Sequence, residues 1–570
     1  MTVRDLTPER LRDATWEDVL PWYAELVAEP LDRAGVPDWL ARWSHLESCL
    51  SEAASLALIA YTCDTADAAK EQAHLRFTSE ILPRAEEQGV RLARRLVDSG
   101  WSSPEMEVPI ARFRTAIQIF REANVPLFAE LESLSSSYQR ITGSMTAEWE
   151  GERRPLPMLA PLIQDPDRAV RERAWRAFIA PYQAHQEPLA DLFDTMRTLR
   201  QRAAAQSGFA NYRDYSFAAK CRVDYTPGDC EQFHAAVAEV VVPAVGRVMR
   251  MRQERLGLDR LRPWDLAVDP WGSAPLRPYR DDADLSRRAA AVFGRVDPEL
   301  AGWFQLMIDE GLLDLGSREG KAPGGYCDTL HHRGRPFIFM NGSGVLEDVT
   351  TLLHEAGHSF HAIASHRWPL IWQRHPSSES AELASMSMEL LAGAHLGPPG
   401  GFLAEPEVRR ARLAHLEDVL LSLTHIASVD AFQTWIYTSP DGADRHARDA
   451  EWLRLRDRFE TGADWSGLEP ERIARWYRQL HIFLYPFYYI EYGIAQLGAL
   501  QVWRNARQDP AGAAREYREF LALGATRPLP ALYRAAGAEL VFDRDRMAGL
   551  IGLVEEEIGA LAAGMPEVAS

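Results

Sequence analysis

Long segments of this chain place apolar residues at a spacing near 3.6, and a single short run reads as a strand. "EQAHLRFTSEILPRAEEQGVRLARRLVD" and "IARFRTAIQIFREANVPLFAELESLSSSYQRI" are rich in Ala, Leu, Arg and Glu, residues that lose little on entering a helix. "QDPDRAVRERAWRAFIAPYQ" carries its own start signal. Asp165 can cap, Pro166 fits a first turn, and Val170, Ala174, Trp175 and Phe178 line one face. The strand is "PFIFMN", Pro336–Asn341, an apolar run bounded by Gly and Pro. It lies in a Gly-rich break in the helical texture, 320–344; further breaks cover 256–280 and "GPPGG" at 397–401. At 570 residues, 46% of them apolar, the chain can bury a sizeable core in more than one lobe. The expected fold is mainly α: an N-terminal helical lobe over 1–200, a second helical lobe over 201–570, and one small sheet.

Charge and cysteine usage remove several classes. There are 63 basic and 82 acidic residues, a formal charge of −19, so the electrostatic footprint of a nucleic-acid binder is missing. No run of 18 apolar residues suits a membrane span, and the first 20 residues alternate charge with apolar side chains instead of forming a signal core. The five cysteines, Cys49, Cys63, Cys221, Cys230 and Cys327, are odd in number and lack any C-x-x-C pair. They predict reduced thiols in a cytoplasmic protein, with neither a disulfide frame nor a thiolate zinc site.

"TLLHEAGHSFHAIASH", Thr351–His366, holds four of the 16 histidines. His354 and His358 are four apart, which on a helix separates them by about 40° in azimuth and about 6 Å in rise. Both imidazoles can then reach one ion at about 2.0–2.1 Å. Glu355, about 100° round the helix, can approach water without occupying a ligand position. This is H-E-x-x-H, whose logic is two ligands and a general base. Chance gives on the order of 0.03 occurrences in a chain of this composition. Val349, Leu352, Leu353, Ala356 and Phe360 supply a flank that buries the helix, and Glu347 and Asp348 suit its N-terminal end. Gly357 permits close approach of another backbone. His361 is about 10.5 Å along the axis from His354, too far to join the same tetrahedral site. It reads equally as a substrate-facing or a packed residue; His366 and His375 read as structural or surface residues.

A catalytic zinc site takes three protein ligands and keeps one position open. The third ligand can come from "HPSSESAELASMSMELLAG", where Ser377 or Ser378 can cap a new helix. Glu379, Glu382 and Glu389 are the candidates, and spacing does not choose among them.

With "HEAGHSFH" followed 24 residues after its second His by the Glu of "AELASMSMEL", the chain resembles the oligoendopeptidase F and thimet oligopeptidase family of zinc metallopeptidases, in its oligoendopeptidase branch. "LIQDPDRAVRERAW", "SGFANYRDYSF", "LRPWDL", "GKAPGGYCDTL", "FQTWIY", "QLHIFLYPFYYIEYGIAQLGA" and "RPLPALYRAAG" extend the likeness over roughly residues 140–570. The resemblance implies one zinc ion held by His354, His358 and Glu382, with Glu355 as the base. It also implies a two-lobed helical body around a deep channel, with the small sheet beside the active-site helix, a cytosolic location and short peptides as substrates. Oligomeric state is not implied.

"HIFLYPFYYIEYGIAQL", His481–Leu497, places four tyrosines after one histidine. Tyr485, Tyr488 or Tyr489, and Tyr492 fall at i, i+3/i+4 and i+7, so three phenols could share one helical face and aim at an oxyanion. The family uses a His and Tyr residues from such a segment. His481 and Tyr492 are favoured here, with Tyr489 and Tyr485 behind them and Tyr488 read as a packed ring. "PFIFMN" is expected to offer an edge to which an extended peptide adds. The expected activity is zinc-dependent endopeptidase cleavage of oligopeptides. The alternatives are a zinc exopeptidase of carboxypeptidase or dipeptidase type, and a peptide-binding protein that keeps zinc for structure.

Overall fold

The computed structural model describes residues 3–565 apart from 275, 319 and 323. Helices dominate, as the 3.6-residue spacing predicts. The start signal near Asp165 lies two residues late: the helix is Arg168–Ala184, capped by Asp167, whose side chain accepts from the Ala169 N–H. Asp165 instead accepts from the Asp167 N–H at 2.8 Å.

Among the described residues there are two small sheets. β1 (Thr146–Trp149) and β2 (Glu152–Pro155) form an antiparallel hairpin. β3 (Leu313–Gly316), β4 (Tyr326–Leu330) and β5 (Arg335–Gly342) form the other, in the order β3-β5-β4. β5 contains the expected "PFIFMN", but it is the central strand. It runs parallel to β3 and antiparallel to β4, with Tyr326 opposite Phe339 and Leu330 opposite Arg335. The expectation of an edge strand is therefore wrong. Ile338, Phe339 and Met340 are buried, and a run apolar on both faces is what a central strand needs. The free edges of this sheet belong to β3 and β4.

The chain divides into two compact units that do not follow a cut at residue 200. One comprises Met1–Phe120, Leu276–Val408 and Ala495–Leu540; the other comprises Arg121–Pro275, Arg409–Ile494 and Val541–Ser570. The crossing between 275 and 276 falls inside the Pro- and Gly-containing break over 256–280, but nothing local marks which distant segments join one unit. The first unit holds the three-stranded sheet and the two helices from "HEAGH" and "AELAS". The second holds the segment with the tyrosines. No helix among the described residues is long and apolar enough to cross a membrane.

Candidate active site

The histidine helix spans Leu346–Ser365. Its N-terminus is fixed by Asp348, whose Oδ2 accepts from the backbone N–H groups of Ser343, Gly344 and Val345 at 2.8, 2.8 and 2.9 Å and from the Tyr279 hydroxyl at 2.6 Å. Backbone donors at a helix start have no partner within the helix, and the Gly344 N–H alone has a second acceptor, the Tyr279 hydroxyl oxygen at 2.9 Å. Gly344 has φ +88°, so the "NGSG" turn needs its glycine there. Val349, Leu352, Leu353, Ala356 and Phe360 are all buried, as their spacing predicts. The Phe360 ring meets Phe293 edge-on at 5.0 Å. Burial of a side chain of this size contributes about 1.5–3 kcal/mol, which ties the helix to the core of the first unit.

The glutamate helix, Ser378–Gly393, crosses it closely. Gly357 makes this possible: a Cβ there would lie 2.5 Å from the Cα of Ser385 and 2.8 Å from the carbonyl oxygen of Ala384. The glutamate helix is in turn held by the Tyr517 hydroxyl, which donates to the Ala384 carbonyl at 2.8 Å.

The crossing brings three donor atoms together. His354 Nε2 and His358 Nε2 are 3.2 Å apart. Glu382 Oε2 lies 3.4 Å from the first and 3.9 Å from the second. Donors at about 2.0–2.1 Å from one tetrahedral ion are separated by about 3.3–3.4 Å, so His354, His358 and Glu382 fit a single divalent cation. Glu389, open as a third ligand from spacing, reaches the other side of His354: Nδ1–H donates to Oε1 at 2.6 Å. That bond selects the tautomer with a free Nε2 lone pair. His358 hydrogen-bonds the Ala381 backbone. Glu379, the other candidate, is buried, and its backbone carbonyl accepts from the Tyr533 hydroxyl at 3.3 Å.

Glu355 is 9% exposed. Burial raises its carboxyl to about 7; His354 opposes this, and Glu382 and Glu389 add to it. The backbone N–H of Cys327 on β4 hydrogen-bonds the carboxylate. This N–H lies on the side of β4 away from β5, so a sheet edge supplies it. Despite burial, Glu382 and Glu389 hold His354 well above the usual histidine range, whereas burial lowers His358 to about 4.

His361 is a packed residue. It is 3% exposed, its ring lies 5.3 Å from Phe520, and neither nitrogen has a hydrogen-bond partner among the described residues. Burial lowers it to about 3. His366 and His375 stay outside the donor cluster; the ring of His375 stacks on His331 at 4.9 Å.

In the second unit, His481 gathers all four tyrosines, with ring separations of 6.0 Å to Tyr485, 5.7 Å to Tyr488, 5.0 Å to Tyr489 and 6.0 Å to Tyr492. The expectation that the phenols share one helical face is wrong. The helix Leu480–Leu484 ends, the chain turns through Pro486 and Phe487 at φ +63°, and a new helix, Tyr489–Gln508, begins. Proline cannot continue the ladder, so the turn and not helical periodicity clusters the rings. The Tyr489 hydroxyl donates to Gln479 Oε1 at 2.9 Å, Tyr485 is exposed, and Lys220 Nζ lies 5.0 Å from the Tyr488 ring centroid. Lys220 also pairs with buried Glu491 at 3.1 Å. This lysine carried no signal in the sequence, because its neighbours lie some 270 positions away.

Comparison with known proteins places these observations. The family model described as Peptidase family M3 matches residues 161–270 and 303–548. The group B oligopeptidase PepB of Streptococcus agalactiae serotype III (strain NEM316) is 27% identical over 210 residues, 35% of this chain and 32% of that protein. The chromosomal oligoendopeptidase F of Lactococcus lactis subsp. cremoris is 24% identical over 396 residues, 66% of this chain and 61% of that protein. The alignments with the first three curated relatives span about a third of those proteins, 32% to 37% of their length. Among solved structures, PZ peptidase A with inhibitor 2 superposes with a TM-score of 0.89 at 26% identity, covering 96% of this chain and 98% of that one. Oligoendopeptidase-F from Enterococcus faecium shares the fold, with a TM-score of 0.63 at 15% identity over 98% and 99% of the two chains.

Proposed function

This chain belongs to peptidase family M3, and from that premise we propose that it is a zinc-dependent endopeptidase acting on short oligopeptides. The observation that carries the reading is the convergence of His354 Nε2, His358 Nε2 and Glu382 Oε2 within 3.9 Å of one another, beside the buried carboxylate of Glu355. Two imidazoles and a carboxylate are a donor set for catalytic zinc, so we assign one zinc ion to these three residues. A bound zinc ion supplies Lewis-acid polarisation and lowers the pKa of water.

The remaining chemistry belongs to the chain's own groups. Glu355, oriented by the Cys327 N–H, takes the proton of the attacking water and passes it to the leaving amide nitrogen. A carboxyl that burial raises to about 7 is matched to both transfers near neutrality. Glu389 and the Ala381 carbonyl keep the two imidazoles from rotating. His481, Tyr492, Tyr489 and Tyr485 are proposed donors to the oxyanion that develops on the scissile carbonyl.

Glu355→Gln tests the assignment. The variant should keep the wild-type zinc content, measured by elemental analysis, and lose roughly 10³-fold or more in kcat/KM, in the upper part of the 10²–10⁴ range of acid–base catalysis. The substrate is a peptide blocked at both termini, which an exopeptidase cannot use. Near-wild-type cleavage by the variant, or cleavage of unblocked peptides alone by the wild type, would overturn the proposal.

A further inference from the structure

A second set of metal-ligating side chains lies in the first unit, away from the H-E-x-x-H motif. His45 and Cys49 are one turn apart on the helix Val36–Cys63. His332 belongs to the turn between β4 and β5. Cys49 Sγ is 3.7 Å from His45 Nε2 and 3.5 Å from His332 Nδ1. The carbonyl oxygen of Leu6 closes another side, 3.0 Å from His45 Nε2 and 3.5 Å from Cys49 Sγ.

We propose that His45, Cys49 and His332 form a second cation site, selective for a thiophilic divalent ion such as zinc, with the Leu6 carbonyl at its fourth side. The argument is geometric. With zinc–sulfur at about 2.3 Å and zinc–nitrogen at about 2.0–2.1 Å, a tetrahedral site has sulfur–nitrogen edges of about 3.6 Å. The two observed edges bracket that value. One thiolate and two imidazoles are borderline-soft donors that favour zinc over magnesium or calcium.

The surroundings prepare the site. Cys49 and Leu6 are buried, whereas both histidines are half-buried, so an ion has a path to a sheltered thiol. The β4–β5 turn is already anchored to the same helix. Arg333 donates to Glu52 through its backbone N–H at 2.9 Å and its Nε at 2.6 Å. On binding, the thiol releases its proton to solvent as sulfur bonds the ion. The Nε2–H that now faces the Leu6 carbonyl moves to Nδ1, freeing the Nε2 lone pair. The ion would clamp the outer end of the β4–β5 hairpin, the hairpin whose Cys327 N–H holds Glu355. No local motif could signal such a site, because His332 is 283 positions from Cys49.

The test is cobalt titration of the full-length, demetallated chain. Wild type should take two equivalents, with a thiolate-to-cobalt charge-transfer band in the near ultraviolet. Glu382→Gln should lose the other site and keep the band, so this result is independent of the peptidase reading. Cys49→Ser should lose the band and bind one equivalent. His332→Asn, at a half-buried turn position, provides a second variant and should weaken binding at this site at least tenfold. Zinc should also slow alkylation of Cys49 in the wild type, read by mass spectrometry. Absence of a thiolate band in the wild type, or its persistence in Cys49→Ser, would overturn the proposal.

Discussion

Gly357→Ala adds one methyl group where the histidine and glutamate helices touch. The new Cβ would stand 2.5 Å from Ser385 Cα, 2.8 Å from the Ala384 oxygen and 2.9 Å from Ser385 N. Carbon–carbon contact becomes favourable only near 3.5–4.0 Å, and these neighbours are backbone, so the helices must part by about 1 Å. Glu382 Oε2 now lies 3.4 and 3.9 Å from the two imidazole nitrogens. A further ångström would stretch these to about 4.4 and 4.9 Å, well past the roughly 3.4 Å edge of a shared tetrahedral ion. Overpacking costs about 1–3 kcal/mol, while alanine regains about 1 kcal/mol of helix propensity over glycine. The demetallated variant should therefore melt close to the wild type, yet zinc affinity should fall by about 100-fold or more, beyond the usual range for losing an outer hydrogen-bond partner of a ligand. Competition against a chromophoric chelator measures the affinity, and thermal unfolding of the metal-free chain reports the fold. A folded Gly357→Ala variant with unchanged zinc affinity would refute the idea that this contact sets the ligand geometry.

Two further predictions concern the groups around the donors. Glu389→Gln keeps the shape but removes the charge that orients His354; zinc affinity should fall about 10–100-fold by the same competition, and unchanged affinity would mean the 2.6 Å contact is incidental. Asp348→Ala removes the acceptor of the Ser343 and Val345 N–H groups and of the Tyr279 hydroxyl, leaving the Gly344 N–H only its 2.9 Å bond to Tyr279; stability should fall by about 1–3 kcal/mol or more, measured by urea unfolding.

Much of the site was legible because its signals are local. His354 and His358 are one turn apart, Glu355 is adjacent, and the apolar residues around them repeat at helical spacing, so the candidate motif can be read from some twelve consecutive residues. Glu382 shares a helical face with both Glu379 and Glu389, and from spacing any of the three could be the third ligand. Only the crossing of the two helices separates them: Glu382 reaches the Nε2 side of His354 and Glu389 the Nδ1 side. The tyrosine segment misled for a related reason. Periodicity assumes one helix, and the turn at Pro486–Phe487 replaces it with two.

Helical content, the histidine pair and the glutamate beside it are thus properties of the sequence by itself, since each depends on residues within a few positions of one another. The central place of β5, the interleaved units, the amide that Cys327 offers Glu355 and the meeting of Cys49 with His332 depend on segments far apart along the chain. Only packing decides which of those segments touch, because close contact rewards complementary shape and satisfied hydrogen bonds over distance in sequence.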